Sequence, residues 1–313
     1  MKRLLFFAAL ALTLVWVFRA LEYEGVRRCK LPEFVKLRKT FLEKNDAELL
    51  VLGSSRAACQ FVPEIIEKHT GLKTWNAGMT GSTLPFFRAT LEAWLVNNAP
   101  PKAVVINLDI HALNDTADPV FDYPRYLPYL GNEALYNGLK KQDKKFAAYR
   151  YLAPYGLAQG NVRLLNAGLR GWLNNASSVM YYGGYEETVK RGYSNNLDSM
   201  VTVGDAPLPS KTYIAELSSF LEFCKAKNIK PVLVLSPLYA LRKNGIGNYD
   251  FIVLMINETA KKHGVPLIDI SLTGISYNPD YYADPAHLTR QGAEKFSELA
   301  GMNVSKVLNA GSR

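Results

Sequence analysis

Short, continuously apolar runs alternate with segments of helical periodicity along most of the chain. Five runs are typical of buried strands, at residues 48–53, 73–78, 102–109, 230–237 and 265–270. Between them, apolar residues recur every three or four positions and predict helices at 33–44, 63–71, 84–98, 212–228 and 251–264, with a last helix from about residue 289. Strands that are apolar on both faces belong to sheets covered on both sides. The pattern therefore predicts a three-layer α/β fold with about five parallel strands.

The alternation stops after the third strand. Between about residues 111 and 209, tyrosine and arginine interleave, as in YPRYLPYL and AAYRYLAPYG. This stretch is too long for a plain loop and predicts a large, mostly helical insertion. We expect its aromatic and arginine side chains to shape a binding site for a sugar acceptor, with Tyr182 among the substrate contacts. The alternative is a helical subdomain with a core of its own.

The first 21 residues have the pattern of a membrane anchor. Two basic residues precede an uncharged apolar run at 4–18, and Arg19 follows it. This is the plan of a signal sequence, but no small-residue cleavage site follows the run, which favours a retained signal anchor over 1–21. The run is shorter than the ~20 residues of an ideal span. A buried N-terminal helix is the alternative.

The flanking charges bear on the orientation of this anchor. More basic residues follow the apolar run than precede it, which opposes the positive-inside rule. A basic segment at the extreme N-terminus usually leads, however, so we expect the rest of the chain outside the cytoplasm, in the periplasm or at the cell surface. The predicted organisation is an anchor at 1–21, a juxtamembrane linker and helix at 22–47, and an α/β domain at 48–313.

Composition narrows the classes of partner. The chain has 313 residues, of which 48% are hydrophobic, enough for a large core. The net charge of +9 comes from scattered lysines and arginines without a nucleic-acid motif, so an anionic envelope surface or polymer is the expected partner rather than nucleic acid. Cys29, Cys59 and Cys224 are too widely spaced for a disulfide framework or a zinc site, and we expect no metal or cofactor.

Three loops at the predicted carboxyl ends of strands collect polar residues. GSSR follows the first strand, NAGMTGST the second and DPAHLT the last. Open α/β sheets bind their ligands at this edge. A serine on the first turn can hold its hydroxyl there, where a histidine can remove its proton during attack. The alternative for GSSR is a helix N-cap.

The other two loops add to this chemistry. Asp284 lies three residues before His287 on a turn that contains proline, so its carboxylate can orient the imidazole as the acid of a catalytic triad does. The alternative is a turn into a helix with Asp284 as a local cap. Gly78 and Gly81 allow close backbone approach, and their N–H groups could donate to an oxyanion. The alternative for them is an ordinary tight turn.

Taken in order, the three loops resemble the motifs of the SGNH/GDSL hydrolase superfamily. The resemblance covers residues 48–109 and from about 209 to the end. It implies a flavodoxin-like sheet with Ser55 as nucleophile and Asp284 and His287 as acid and base. It also implies an oxyanion site formed by Gly81 and the backbone N–H of Ser55.

Two departures from the family pattern stand out. Ser54 occupies the position where the family usually has aspartate. The Gly-x-Asn-Asp block, which usually supplies a side-chain donor to the oxyanion, is missing, and this chain has LDIHALND there. His111 and Asn114 are the two alternatives for that donor. Arg56, next to the nucleophile, is an expected substrate contact.

The anchored N-terminus, the Gly-Ser-Ser turn and the insertion together resemble the envelope branch of the superfamily. That branch includes D-alanyl-transfer factors of teichoic acid modification and O-acetyltransferases of exported polysaccharides. The resemblance implies O-acyl transfer, such as acetyl transfer, to an envelope or exported glycan through an acyl-serine intermediate. One alternative is an acyl esterase, or deacetylase, of the same fold. The other is a catalytically inactive module that partners a membrane-bound O-acyltransferase.

Overall fold

The chain folds into two compact units. The computed structural model describes residues 1–110, 120–152, 162–174, 182–188 and 197–310. The first unit comprises Met1–Asn45, Ala89–Asn97 and Val120–Met180, and the second comprises Asp46–Arg88, Asn98–Pro119 and Tyr181–Arg313. The predicted division into 1–21, 22–47 and 48–313 stays a prediction.

A parallel sheet forms the centre of the second unit. Its strands are β1 (Leu49–Leu52), β2 (Thr74–Asn76), β3 (Ala103–Asn107), β4 (Lys230–Leu235) and β5 (Leu267–Asp269). They are ordered β2-β1-β3-β4-β5, and every neighbouring pair is parallel. This is the order of flavodoxin-like sheets. The predicted α/β fold with about five parallel strands is confirmed.

Helices account for most of the remaining regular structure. They are α1 (Lys2–Arg28), α2 (Pro32–Phe41), α3 (Ser55–Gln60), α4 (Pro63–Thr70), α5 (Leu84–Trp94), α6 (Glu133–Gln142), α7 (Lys145–Tyr151), α8 (Val162–Trp172), α9 (Lys211–Ala226), α10 (Ala240–Asn244), α11 (Tyr249–Lys262) and α12 (Arg290–Ala310). Segments of 3-10 helix lie at Tyr123–Tyr129, Tyr182–Gly184, Leu197–Met200, Gly274–Tyr277 and Pro279–Tyr281. The described part of the insertion is thus mostly helical, as predicted.

Burial explains why the strands read as continuous apolar runs. All four residues of β1 and all five of β3 are buried, because both faces of the sheet are covered. On one face Leu49 and Val51 join a core with α4 and α12. In that core Phe61 and Phe296 meet edge to face, with ring centroids 4.8 Å apart. The strands therefore form a buried layer, and because all of them are parallel their carboxyl ends lie at one edge of it.

A short hairpin not evident from the sequence completes the second unit. Strands β6 (Tyr282–Asp284) and β7 (His287–Leu288) pair antiparallel, with Asp284 opposite His287. Only two residues, Pro285 and Ala286, separate them. The DPAH segment is therefore a tight turn between two strands.

The tyrosines of the insertion provide a correction. Tyr126, Tyr129 and Tyr149 are buried in the first unit rather than offered to a sugar. Burial raises the pKa of Tyr126 to about 12, because the phenolate is costly away from water. Asn132 ties this unit together, since its amide donates to the carbonyl of Phe41 at 2.9 Å. A helical subdomain with its own core describes these residues, so the sugar-binding interpretation was wrong for them.

Helix α1 is the one described helix that is long and apolar enough to cross a membrane. It extends past the predicted anchor to Arg28. Its apolar side chains are mostly exposed along the first two thirds, including Leu4, Phe6 and Phe18. Such exposure is unlike a buried core helix, but a signal sequence or a membrane anchor is compatible with it.

Candidate active site

Strand β1 passes directly into the turn that carries both serines. Ser54 is the N-cap of α3, and its hydroxyl accepts a hydrogen bond from the Arg56 backbone N–H at 3.3 Å. Ser55 is the first residue of that helix. The N-cap alternative for GSSR is thus correct for Ser54, while the Ser55 hydroxyl is left for another partner.

The β6–β7 hairpin holds a carboxylate against an imidazole. Asp284 Oδ1 accepts hydrogen bonds from the backbone N–H groups of Ala286 at 2.8 Å and of His287 at 3.0 Å. His287 Nδ1 lies 2.8 Å from Asp284 Oδ2. A carboxylate can only accept, so Nδ1 carries the proton and Nε2 is left as an acceptor. Gln60 fixes the turn by donating to the Ala286 carbonyl at 2.9 Å.

The electrostatics of Asp284 reflect two opposing effects. Partial burial raises the pKa of this carboxyl, but hydrogen bonds from the His287 side chain and from the backbone outweigh burial. The net pKa lies below the ordinary value of 3.8. Asp284 is therefore ionised at neutral pH and stabilises a positive charge on the adjacent ring.

Ser55 and His287 meet although 232 positions separate them in the sequence. Ser55 Oγ lies 2.8 Å from His287 Nε2, where the hydroxyl donates to the ring nitrogen. The His287 side chain is 26% exposed, so a solute can reach the pair. The structure thus brings together the serine, the histidine and the aspartate that the sequence singled out, in the order required for nucleophilic attack.

The second loop is tied to the first. Met79 N–H donates to the Gly53 carbonyl at 2.9 Å, and Ser82 Oγ donates to the same carbonyl at 3.0 Å. Asn76 anchors the start of the loop, since its amide donates to the Ala57 carbonyl and its oxygen accepts from Gly78 N–H. A side chain at Gly78 would collide with α3, at 2.7 Å from the backbone nitrogen of Ala58.

Two backbone N–H groups near this turn remain available. Ser55 is the first residue of α3, and Gly81 has a φ of 73°, a conformation that favours glycine. Within the described parts of the chain, neither N–H donates a hydrogen bond to another protein group. Both are thus candidates to donate to a developing oxyanion.

One polar residue of this site is absent from the sequence-based set. Asp109, just beyond β3, accepts a hydrogen bond from the Ser54 hydroxyl, and both side chains are buried. The carboxylate reaches this turn from the end of the neighbouring strand β3. Asp109 is the second residue of the LDIHALND segment, but no sequence spacing predicts its contact with Ser54.

The remaining predicted residues differ in where they lie. Arg56 is only 6% exposed, and its guanidinium donates to the backbone carbonyls of Ser236 and Pro237, which ties the first loop to the end of β4. Substrate binding by Arg56 stays a prediction. Tyr182 begins a 3-10 helix, but its side chain lies outside the described residues. His111 and Asn114 also lie outside them.

Comparisons with known proteins give similarity at the level of solved structures. No family model and no curated protein matches the sequence. A candidate acylhydrolase from Bacteroides fragilis is 14% identical, with 85% of this chain and 90% of that chain covered and a TM-score of 0.42. A candidate lipolytic protein of the G-D-S-L family from Desulfitobacterium hafniense is 10% identical, with 81% and 97% covered and a TM-score of 0.41. A GDSL-like lipase from Bacteroides thetaiotaomicron is 15% identical, with 83% and 89% covered and a TM-score of 0.39.

Proposed function

We propose that this chain is a membrane-anchored serine acyl-ester enzyme that transfers an acyl group to an envelope glycan outside the cytoplasm. The observation that carries the proposal is the 2.8 Å hydrogen bond between Ser55 and His287, with Asp284 on the far side of the imidazole. An isolated serine hydroxyl is a weak nucleophile, and such a base activates it. The three residues are the proposed catalytic residues.

The first half of the proposed reaction forms an ester on Ser55. Its Oγ attacks the carbonyl carbon of the acyl donor while His287 Nε2 takes the hydroxyl proton. The carbonyl oxygen becomes an oxyanion, which the backbone N–H groups of Ser55 and Gly81 stabilise. The bond to the leaving alcohol then breaks, and His287 returns the proton to that alcohol. The products of this half are acyl-Ser55 and the free alcohol.

The second half repeats the steps with a glycan hydroxyl as nucleophile. His287 removes its proton, the glycan oxygen attacks the acyl carbon, and Ser55 leaves with the proton restored. The apolar helix α1 supports transfer, because an anchor keeps the enzyme near a membrane-bound acyl donor or a membrane acyltransferase partner. The net charge of +9 supports an anionic envelope polymer as acceptor.

Hydrolysis is the second candidate, and the partial exposure of the site favours it. His287 is 26% exposed, so water can compete with a sugar hydroxyl for the acyl enzyme. A water attack would release free acid and make the protein an esterase. The non-catalytic alternative, a module that assists a membrane acyltransferase, predicts no chemistry at Ser55.

One experiment separates these functions. The full chain in detergent is given p-nitrophenyl acetate with and without envelope oligosaccharides, and both acetylated sugar and free acetate are measured. We expect acetylated sugar to form at the expense of acetate. Ser55→Ala should lower the enzymatic rate at which each product forms roughly 10⁴-fold or more. Cys59→Ser, on the same helix as Ser55, is the matched control.

The other outcomes are equally specific. Free acetate alone at saturating oligosaccharide identifies an esterase and excludes the transfer proposal. Equal rates for the unsubstituted chain and Ser55→Ala exclude Ser55 chemistry altogether and favour the assembly module.

A further inference from the structure

The C-terminal end of helix α7 lies where the apolar run of α1 stops. Arg19 is the first charged residue after that run, and its guanidinium donates to the backbone carbonyls of Tyr149 at 2.6 Å and Arg150 at 3.2 Å. The guanidinium stays level with its own turn of α1, because Arg19 Cζ lies 5.3 Å from the Trp16 ring centroid and 5.0 Å from the Tyr23 ring centroid. The end of α7 is therefore fixed at the boundary of the apolar run.

The side chains around this contact are exposed and largely apolar. Tyr151 is 58% exposed and Leu152 is 57% exposed, directly after the carbonyls that Arg19 binds. On α1 itself, Trp16 is 46% exposed. Tryptophan and tyrosine are enriched at membrane–water interfaces, because their rings are apolar and their edges are polar. Both residue types therefore lie at the level where α1 would leave a bilayer.

Cations and aromatic rings cluster next to this level. The rings of Tyr136 and Tyr151 meet edge to face, with centroids 6.0 Å apart. The Arg150 guanidinium lies 4.2 Å from the Tyr136 ring centroid, and Lys140 Nζ lies 5.4 Å from it. Arg150 also pairs with the Glu133 carboxylate. The positive charge that no carboxylate balances in this cluster thus comes from lysine.

The segment that joins α6 to α7 adds more lysines. Residues 140–145 read KKQDKK, and all four lysines are exposed. None of the four forms a salt bridge with a carboxylate of another described residue. Helix α7 has seven residues and so spans about 10 Å. The lysines at its start therefore lie within roughly one Debye length of its end beside Arg19.

The four lysines of residues 140–145, together with Tyr151 and Leu152, are here named the α6–α7 corner. We propose that this corner docks on the headgroups of anionic phospholipids around α1. The proposal rests on the membrane anchor of the proposed function. Lipid is the partner because Arg19 holds the corner at the end of the apolar run, where headgroups surround an anchor that crosses a bilayer. Anionic headgroups complement the unpaired lysines.

Depth-dependent quenching tests whether the corner reaches the headgroups. The full chain is reconstituted in vesicles of phosphatidylcholine and phosphatidylglycerol, in a Cys59→Ser background that leaves two buried cysteines. An environment-sensitive fluorophore is attached to Leu152→Cys at the corner or to Leu10→Cys within α1. We expect nitroxides at headgroup depth to quench the Leu152→Cys label and nitroxides deep in the bilayer to quench the Leu10→Cys label.

Leu173→Cys is the matched control for the corner label. Leu173 is also an exposed leucine of the first unit, and it follows Trp172, whose ring centroid lies 4.3 Å from the Arg28 guanidinium. Arg28 is nine residues beyond Arg19, about 14 Å further along α1. The Leu173→Cys label should therefore stay bright with nitroxides at either depth.

A second measurement tests the recognition of charge. Quenching of the Leu152→Cys label is compared in vesicles with and without phosphatidylglycerol, and we expect the anionic lipid to increase it. The increase should be lost in the quadruple variant Lys140→Gln/Lys141→Gln/Lys144→Gln/Lys145→Gln. It should persist in a control with the same change in net charge at exposed lysines of the second unit, Lys227→Gln/Lys261→Gln/Lys262→Gln/Lys306→Gln.

Each other outcome contradicts the proposal at a defined step. If the Leu10→Cys label is quenched and the Leu152→Cys label is not, α1 enters the membrane but the corner does not reach it. If phosphatidylglycerol has no effect, or if both quadruple variants lose its effect, the corner lysines do not recognise anionic headgroups. If no label is quenched, the anchor is absent and the proposal fails with it. Ser55-dependent ester cleavage, measured on the same samples, shows separately whether the proposed chemistry stands.

Discussion

The Ser54 hydroxyl donates a hydrogen bond to the Asp109 carboxylate, and both groups are buried beside the proposed nucleophile. Ser54 also accepts from the backbone of Arg56 as the cap of α3. The two contacts hold the turn from which Ser55 projects. Asp109 is therefore a positioning residue in our interpretation, because it acts on Ser55 only through the turn.

An exchange of the two side chains tests this interpretation. Ser54→Asp places two carboxylates in contact in a buried site, where like charges oppose each other, so we expect a lower melting temperature and loss of ester cleavage. Ser54→Asp combined with Asp109→Ser restores one acid and one hydroxyl, and should recover both properties substantially. Thermal denaturation and kcat with p-nitrophenyl acetate are the measurements. If the double variant has the same melting temperature and kcat as Ser54→Asp alone, the interpretation of Asp109 as a positioning residue is wrong.

A second prediction concerns which serine reacts. A fluorophosphonate probe should label the full chain, and Ser55→Ala should abolish labelling because it removes the hydroxyl that contacts the His287 base. The Ser54→Ala variant should be labelled more slowly but to the same final extent, because the substitution removes a helix cap and not the nucleophile. Mass spectrometry of the labelled peptide gives the position. Full labelling of Ser55→Ala together with none in Ser54→Ala would assign the nucleophile to Ser54.

The pattern of apolar residues along the chain predicted the buried strands and the helices that pack against them. Strands β1 and β3 are apolar at every position because helices cover both faces, and α4 begins at Pro63 and ends before Gly71, which has a φ of 68°. The β6–β7 hairpin escaped notice because its strands have only three and two residues. So short a segment carries no readable alternation.

Contacts between distant segments were beyond the reach of the sequence pattern. Ser54 and Asp109 lie 55 positions apart, and the carbonyl acceptors of Arg56 lie 180 or more positions away. An arginine beside a candidate nucleophile suggests substrate binding, since arginine is rarely buried. Only the tertiary structure gives its guanidinium backbone partners. The Asp284–His287 pair was more readable, because its three-residue spacing brings the partners together in one turn.

A third prediction uses the pKa of Asp284. Its folded pKa is depressed, because hydrogen bonds from His287 and the backbone outweigh burial, so folding favours the ionised form. This stabilising contribution is complete above the ordinary pKa of 3.8 and is lost as the pH falls through the lower folded value. In Asp284→Asn, the free energy of unfolding should therefore fall less steeply as the pH is lowered below 3.8. Urea denaturation between about pH 2 and pH 5 measures it, and Asp250→Asn, which is highly exposed, is the control. An unchanged profile in Asp284→Asn would refute the prediction.

A fourth prediction is that the three proposed catalytic residues act as a unit. Ser55→Ala and His287→Ala should each lower kcat roughly 10⁴-fold or more, because either change removes the activated nucleophile. The double variant should be hardly slower than either single variant. Rates are measured with p-nitrophenyl acetate, and circular dichroism checks the fold. Losses that multiply in the double variant would show that the two residues act independently.

The last prediction concerns the N-terminus, where packing argues for retention. Arg19 donates to the Tyr149 carbonyl at 2.6 Å, and Arg27 donates to the Pro128 carbonyl at 2.8 Å, so the C-terminal part of α1 is tied to the first unit. Cleavage just after the apolar run would cut a packed helix and not an extended segment. We expect mass spectrometry of membrane fractions to find the N-terminal peptide intact.

A variant separates packing from the missing cleavage site. Phe18→Ala creates an Ala-Arg-Ala sequence at 18–20, of the kind that processing enzymes recognise, and this variant should also stay uncleaved. If the Phe18→Ala variant is cleaved and the unsubstituted chain is not, the missing cleavage site, and not packing, retains the helix. A mature form of the unsubstituted chain that begins after Arg19 would show that the segment is a cleaved signal sequence.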